Sequence, residues 1–323
     1  VRQYGGHPSW SISVTEDDLD ALEDWVDESD DRRLIRRHEG ADVATVGAPT
    51  ADVAGSILQG GLEAESWVDL VDLDVQVNNL DPFPRVSEED FGEFGAIERR
   101  LVGEASPPTD GLAFEATRST IGEARETINA TTADQGDGAT IAIVDTGVNY
   151  DADIFGRDIE DGEGNLTTES RILPESTDYT SANDPTVASQ GHEIVADGDG
   201  HGTWVAAAAA SSSEFDGGEY AGVAPDADIL AMKALGADGS GSTADIAVAV
   251  RDAGDAGADA ICLSLGSPVH SADLAIAIEY ATNEGSTVVA AAGNDRNLSR
   301  HVNYPASHPD TVAVGATTTG APT

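Results

Sequence analysis

Five short apolar runs in the second half of the chain constrain its fold more than any other feature. TIAIVD (140–145), DILAMKAL (228–235), DAICLSL (259–265), TVVAAAG (287–293) and TVAVGA (311–316) are each about the length of one strand. The first is apolar without alternation up to its last residue, the pattern of a strand covered on both faces. Helical segments at 201–212, 242–255 and 271–284 separate the first four runs. Strand–helix–strand repetition of this kind closes as a parallel, doubly wound α/β sheet with right-handed crossovers. In such sheets reactive groups collect beyond the carboxyl ends of the strands. Asp145 ends the first strand and Asn294 follows the AAG that ends the fourth, so both fall on one rim.

The segment DGDGHGTWV (197–205) adds a third group, His201, at the glycine-rich entrance to an alanine-rich helix. Partial positive charge at a helix N-terminus disfavours an imidazolium, so a histidine there is kept neutral and available as a base. A serine nucleophile needs such a base and a further group to orient it. His201 is the candidate base, Asp145 the candidate orienting group, and Asn294 a candidate donor to a developing oxyanion. Taken singly, each also has a plain structural reading as a strand-end cap or a turn.

With their flanks the three segments say more. IAIVDTGVN, GDGHGTWVA and VVAAAGN resemble the corresponding motifs of the subtilisin-like serine peptidases (subtilases, peptidase family S8), in that family's order, Asp before His. The likeness continues through AGVAPDADILAMKAL (221–235), GSG (239–241), LSLGS (263–267) and NYPASHPDTVAVGA (303–316), covering roughly residues 115–320. It implies a serine endopeptidase working through an Asp-His-Ser triad, with Asp145 orienting His201 and Asn294 giving the side-chain half of the oxyanion hole. It also implies that Ser264, Leu265 and Gly266 form an edge against which an extended peptide pairs, with Gly239, Ser240 and Gly241 as the opposite rim. Ala291 and Gly293 would line the pocket for the residue before the scissile bond, with Asp295 at its floor. Trp204 and Ala207 stand where the family usually has a second His and a Gly, and the Gly→Ala change touches no triad atom. No cofactor is implied for the chemistry; the partners implied are peptide or protein substrates, in a secreted, extracellular setting.

The family's nucleophile lies in a glycine–threonine–serine–methionine–alanine motif opening a helix. That motif is absent from the 323 residues, and Ser264, Ser267 and Ser307 lie on matched segments with other roles. The serine is therefore expected beyond Thr323, the sheet is expected to be incomplete on its C-terminal side, and this stretch alone is expected to be inactive. The rival reading is a pseudoprotease that binds peptides, or its own N-terminal part, without cutting. A nucleotide-binding reading of the doubly wound sheet fails, because TGVNY after the first strand lacks the glycine fingerprint for a pyrophosphate.

The N-terminal part follows another grammar. WSISV (10–14) alternates as a strand, and Thr15 is placed to cap a helix with Leu19, Leu22, Trp25 and Val26 on one face. RRLIRRH (32–38) and DVATVGAP (42–49) flank the turn EGA as a hairpin. A second helix is expected from Thr50 through Leu58, stopped by Gly60 and Gly61, before SWVDLVDLDVQV (66–77) alternates again. The order is βαββαβ, a small ferredoxin-like α+β domain over residues 1–80. Acidic, proline-containing sequence at 81–112 reads as a linker to the 113–323 domain. The family resemblance implies that residues 1–80 are a propeptide that plugs the cleft until it is cut off, with the cut between Asp81 and Ala116.

Net charge is −44, from 60 Asp and Glu against 16 Lys and Arg, with Lys233 the only lysine. Nucleic acid is excluded as a partner, since phosphate binding needs a basic patch. Cys262 lies in an apolar run and rules out a disulfide within the chain. No apolar run approaches the ~20 residues that span a membrane. DGEGN (161–165) begins like a calcium loop, but Leu166 stands in place of the required Gly and Ile172 in place of the bidentate Glu. Asp158, Glu160, Asp161, Asp197 and Asp199 are the remaining candidates for a structural calcium, which the resemblance allows. His7, His38, His192, His270, His301 and His308 make no metal-binding spacing. The preferred reading of the acid is a solvated, halophilic-type surface whose self-repulsion salt relieves. The melting temperature should accordingly rise steeply with added KCl in a thermal-denaturation series, whereas a flat response up to about molar salt would speak for specific metal binding instead.

Overall fold

The structure is a computed structural model, described over residues 3–4, 6–15, 18–38, 42–53, 61–79, 121–130, 135–149, 153–160, 166–180, 195–218, 220–294 and 302–316. The expected linker, the calcium-like loop, Asp295, His192 and His301 lie outside these residues.

The strands are β1 (Gln3–Tyr4), β2 (His7–Val14), β3 (Arg33–His38), β4 (Val43–Gly47), β5 (Val68–Leu73), β6 (Gln76–Asn79), β7 (Thr140–Asp145) and β8 (Gly156–Glu160). They continue with β9 (Leu166–Ser170), β10 (Thr177–Asp178), β11 (Asp228–Lys233), β12 (Ser240–Ser242), β13 (Ala260–Leu263), β14 (Leu265–Gly266), β15 (Thr287–Ala291) and β16 (Thr311–Val314). The helices are α1 (Leu19–Asp27), α2 (Thr50–Val53), α3 (Ile121–Thr127), α4 (His201–Ala210), α5 (Thr243–Asp255) and α6 (Ala272–Asn283).

Six parallel strands form the main sheet in the order β10-β11-β7-β13-β15-β16. β7 lies inside it because both of its faces are apolar. Ala142 and Val144 join the core layer that includes Ile246, Val250, Leu274 and Ile278 of α5 and α6. Ile143 joins the opposite layer, with Val205, Ala206 and Ala210 of α4. This is the doubly wound α/β arrangement that the apolar runs predict. α5 and α6 approach closely at Gly254, where an added Cβ would lie 3.0 Å from Ala281 Cα. β10 and the antiparallel hairpin β8–β9 are further elements, falling in a segment that reads from sequence only as an acidic insert.

In the N-terminal part β2 is central, pairing antiparallel with β4 on one side and β5 on the other, and β3 pairs with β4. Trp10, Ile12 and Val14 on one face of β2 pack on Leu19, Leu22 and Val26 of α1. Two boundaries differ from the sequence expectation. Thr15 does not cap α1; its hydroxyl pairs with Asp69 at 3.5 Å, and the helix begins at Leu19 after an Asp18 that makes no side-chain cap bond. α2 is described only over Thr50–Val53, residues 54–60 lying outside the described set.

The larger difference is in the segment 66–77, expected as one strand. It breaks at Asp74 and Val75. Asp74 is fully buried, and its carboxylate accepts from Ser9 Oγ (2.9 Å) and from Ser242 Oγ (2.6 Å). Val75 exchanges hydrogen bonds with Thr243 through that residue's hydroxyl and backbone N–H, both at 3.1 Å. β6 thus leaves the N-terminal sheet and runs antiparallel between β12 and β14. A second tie joins the two parts. Asp245 in the first turn of α5 takes an ion pair from Arg36 and lies 3.2 Å from His38 Nε2.

Candidate active site

The site is assembled where the end of β7 meets the start of α4. Asp145 closes β7, and its carbonyl accepts the N–H groups of Ala234 and Leu235, both at 3.0 Å. α4 then starts almost on top of this exit. Gly202 is required there: an added Cβ would lie 3.1 Å from Asp145 Cβ and would overlap Gly147 O. The approach brings His201 Nδ1 to 2.8 Å from Asp145 Oδ1 and 3.0 Å from Oδ2, with both residues buried. Oδ1 also accepts the Thr146 N–H at 2.7 Å. An ionised carboxylate can only accept, so Nδ1 carries the imidazole proton and the basic lone pair is on Nε2. That is the tautomer a general base needs.

Asp197 holds this geometry, and its position corrects its standing as a candidate cation ligand. Its Oδ1 accepts from Thr146 Oγ1 (2.9 Å), Asp199 N (3.0 Å) and Gly200 N (2.7 Å). Its Oδ2 accepts from Thr203 N (2.8 Å) and Thr203 Oγ1 (2.6 Å). Thr146 Oγ1 in turn accepts the Gly202 N–H at 2.9 Å, and Thr203 Oγ1 accepts the Asn149 N–H at 3.0 Å. One carboxylate thereby ties the residue after Asp145 to the turn that carries His201. A set of N–H and O–H donors is the opposite of what a cation presents. The sequence signal was the DGDG run, since an Asp a few residues ahead of free backbone N–H groups forms an Asx turn.

Asn294 is exposed and stands on the same rim. Residues Ile143, Cys262 and Val289 are level across β7, β13 and β15. β7 ends at Asp145 and the parallel β15 at Ala291, and Asn294 follows three residues beyond. Gly293 between them has φ 105°, and an added Cβ would lie 2.7 Å from Asn303 Nδ2. The segments expected as walls of a peptide groove are β12, which follows Gly239 and contains Ser240 and Gly241, and β14 (Leu265–Gly266), which follows Ser264. β6 occupies the space between them. Asn78 is paired with Ser240 on one side and Gly266 on the other, and Val77, 1% exposed, points into the apolar core.

Trp204 lies one turn along α4, its ring centroid 6.4 Å from that of His201. Burial pushes the Cys262 thiol up to about 12, with the Asp145 charge adding to it, so it remains an unreactive thiol at neutral pH. Among the other candidate metal ligands, Asp158 accepts from Thr168 Oγ1 at 2.8 Å. Among the described residues, Glu279, His308 and Asp310 bring three potential ligand atoms within 4.8 Å of one another. His308 Nδ1 accepts the Asp310 N–H at 3.2 Å, which commits that nitrogen to its own turn.

Comparison with known proteins gives consistent results. A sequence model of the subtilase family matches residues 136–322. A thermophilic serine proteinase of Bacillus sp. (strain AK1) is 41% identical over 160 residues, covering 48% of this chain and 39% of that protein. Subtilisin Savinase of Lederbergia lenta is 37% identical over 182 residues, covering 56% of each chain. Thermitase of Thermoactinomyces vulgaris is 39% identical over 184 residues, covering 57% of this chain and 56% of its own. The chain thus spans between 39% and 56% of the length of these relatives.

Removing the Asp197 carboxylate strands several donors at once. Asp197→Ala should lower the unfolding free energy by about 3 kcal/mol in urea titration, as expected when hydrogen bonds to a charged group are lost together. A loss below about 0.5 kcal/mol, the range of an ordinary surface substitution, would remove Asp197 as the tie between the two segments.

Proposed function

The chain belongs to the subtilase family, and we propose that the protein acts as a serine endopeptidase. The observation that carries this reading is the buried contact between His201 Nδ1 and Asp145, beside a groove with two strand edges. His201 Nε2 takes the proton from the serine hydroxyl as it attacks the scissile carbonyl, and later returns it to the leaving amine. Asp145 holds the ring in the correct tautomer and stabilises the imidazolium while it exists. Asn294 donates its side-chain amide to the oxyanion. An extended substrate lies as a strand between β12 and β14, with Ala291 and Gly293 at the pocket for the residue before the cut. The attacking serine of this reading is not Ser264, Ser267 or Ser307, which lie on segments with other roles.

On this reading residues 1–80 are a propeptide and inhibitor, and residues 113–323 belong to the catalytic domain. Support comes from β6, which already lies antiparallel between the two groove edges as a substrate strand would. The maturation cut falls after β6, between Asp81 and Ala116. The acidic surface and the family likeness fit secretion into a salty medium. Among the described residues, no helix is long and apolar enough to cross a membrane.

In the full-length protein His201→Ala should abolish self-cleavage, leaving one band on a denaturing gel that contains both parts. Normal maturation of that variant would contradict the base assignment. A covalent serine-hydrolase probe separates the enzyme from a binder that lacks the nucleophile: labelling of the wild type supports the former, and no labelling the latter.

A further inference from the structure

Three carboxylates meet where the N-terminal part rests on α6. Asp72, near the end of β5, accepts the Ala272 N–H at 2.7 Å and pairs with Ser271 Oγ at 3.3 Å, so it caps α6. Asp74 is spent on Ser9 and on Ser242, the N-cap of α5. Asp273, the second residue of α6, has no such use. It is 7% exposed, and neither carboxylate oxygen has a hydrogen-bond partner. The fully buried Ser11 hydroxyl of β2 faces it and supplies a favourable dipole without closing a hydrogen bond. An ionised carboxylate in that position faces two like charges in a desolvated contact, whereas a neutral acid is tolerated. A metal ion is not the neutralising agent here. The three groups do not bring their oxygens within 4.8 Å of one another, and two of them are already engaged.

We infer that Asp273 is a proton-operated latch: the N-terminal part stays docked across the groove while this carboxyl is protonated, and ionisation loosens it. The inference rests on the proposed role of residues 1–80 as occupant of the groove. The groups facing Asp273 are Ser11 from β2, Asp72 from β5 and Asp74 from the β5–β6 link. Tyr304 lies within the field of Asp72, and burial raises its hydroxyl well above its ordinary range, so it remains neutral.

Burial pushes the Asp273 carboxyl up to about 6, and Asp72 and Asp74 add to the rise against the Ser11 dipole. Undocking removes Ser11, Asp72 and Asp74 together, returning Asp273 to an ordinary carboxyl value of about 3.9. The docked state therefore binds the proton more tightly. The contribution of Asp273 to docking is greatest below about pH 4, falls as pH rises to about 6, and levels off above it. Two pH units of difference set a ceiling of about a hundredfold on the change in the docking equilibrium.

Hydrogen–deuterium exchange of the 323-residue chain tests this at fixed salt, with rates corrected for the intrinsic pH dependence. In the wild type, protection of the β6 and β12 amides should fall by up to about a hundredfold between about pH 4 and pH 6.5. Asp273→Asn, uncharged and nearly isosteric, should retain the low-pH protection throughout, and Asp273→Ala serves the same purpose if the amide packs poorly. The His38–Asp245 contact on α5 is unchanged in these variants and cancels in the comparison. Parallel pH profiles in wild type and both variants would overturn the inference, as would a wild type protected equally at every pH. Absence of protection at any pH would reject the docked arrangement and the latch with it. The readout requires no catalysis, so a failure of the peptidase reading shows separately, in the serine probe.

Discussion

The molecule is organised around one fully buried carboxylate that must be kept supplied with donors. Asp145 at zero exposure would be strongly destabilising in isolation, because desolvation of an ion costs more than one contact returns. It is tolerated because the Thr146 N–H and the His201 imidazole both donate to it. Those donors are in place only because α4 starts against the end of β7, and that approach requires hydrogen where other residues have Cβ. Gly202 and the Asp197 network are thus conditions for the acid–imidazole pair rather than additions to it. The central sheet supplies the rest, since the register of β7 between β11 and β13 fixes where the carboxylate emerges.

The same rim creates a second requirement. β12 and β14 are very short strands whose outer N–H and C=O groups face each other across a gap one strand wide. Unpaired edges of this kind recruit whatever extended backbone is available. β6 satisfies both at once, burying Val77 while Gln76 and Asn78 stay exposed. Backbone pairing makes such a seat tolerant of sequence, and the alternating buried position is where it selects.

Legibility in the sequence followed the range of the interactions. The parallel strands could be read because apolar runs without alternation report burial on two faces, and Asp145 and His201 because the motifs around them are local. Strand ends were less legible. The run 228–235 stops as a strand at Lys233 because the Ala234 and Leu235 amides turn to Asp145 O instead of continuing the ladder. The break at Asp74 was invisible, because the groups that bend the chain there, Ser242 and Thr243, lie 168 residues further on. Alternation in 66–77 is genuine, but it serves two different sheets. β10, with two residues, is too short to carry a period at all.

The scarcity of cations shows what the charge distribution is for. Four of the 16 basic residues fall within residues 32–37. Arg37 reaches Glu23 and Asp20, and Arg32 reaches Asp52 and stacks 3.9 Å from the Trp25 ring, so these two hold the N-terminal part together. Arg36 instead crosses to Asp245 and to the Tyr179 carbonyl, with side-chain exposures of only 16% and 6% in the ion pair. Salt shortens the screening length to about 3 Å near 1 M, which removes repulsion among exposed carboxylates but acts much less on buried pairs. High salt should therefore relieve the surface without unfastening the contact that docks the N-terminal part. A chain with so few basic residues makes this contact less sensitive to salt by placing one of them, Arg36, where its guanidinium is largely shielded and its acidic partner Asp245 is buried.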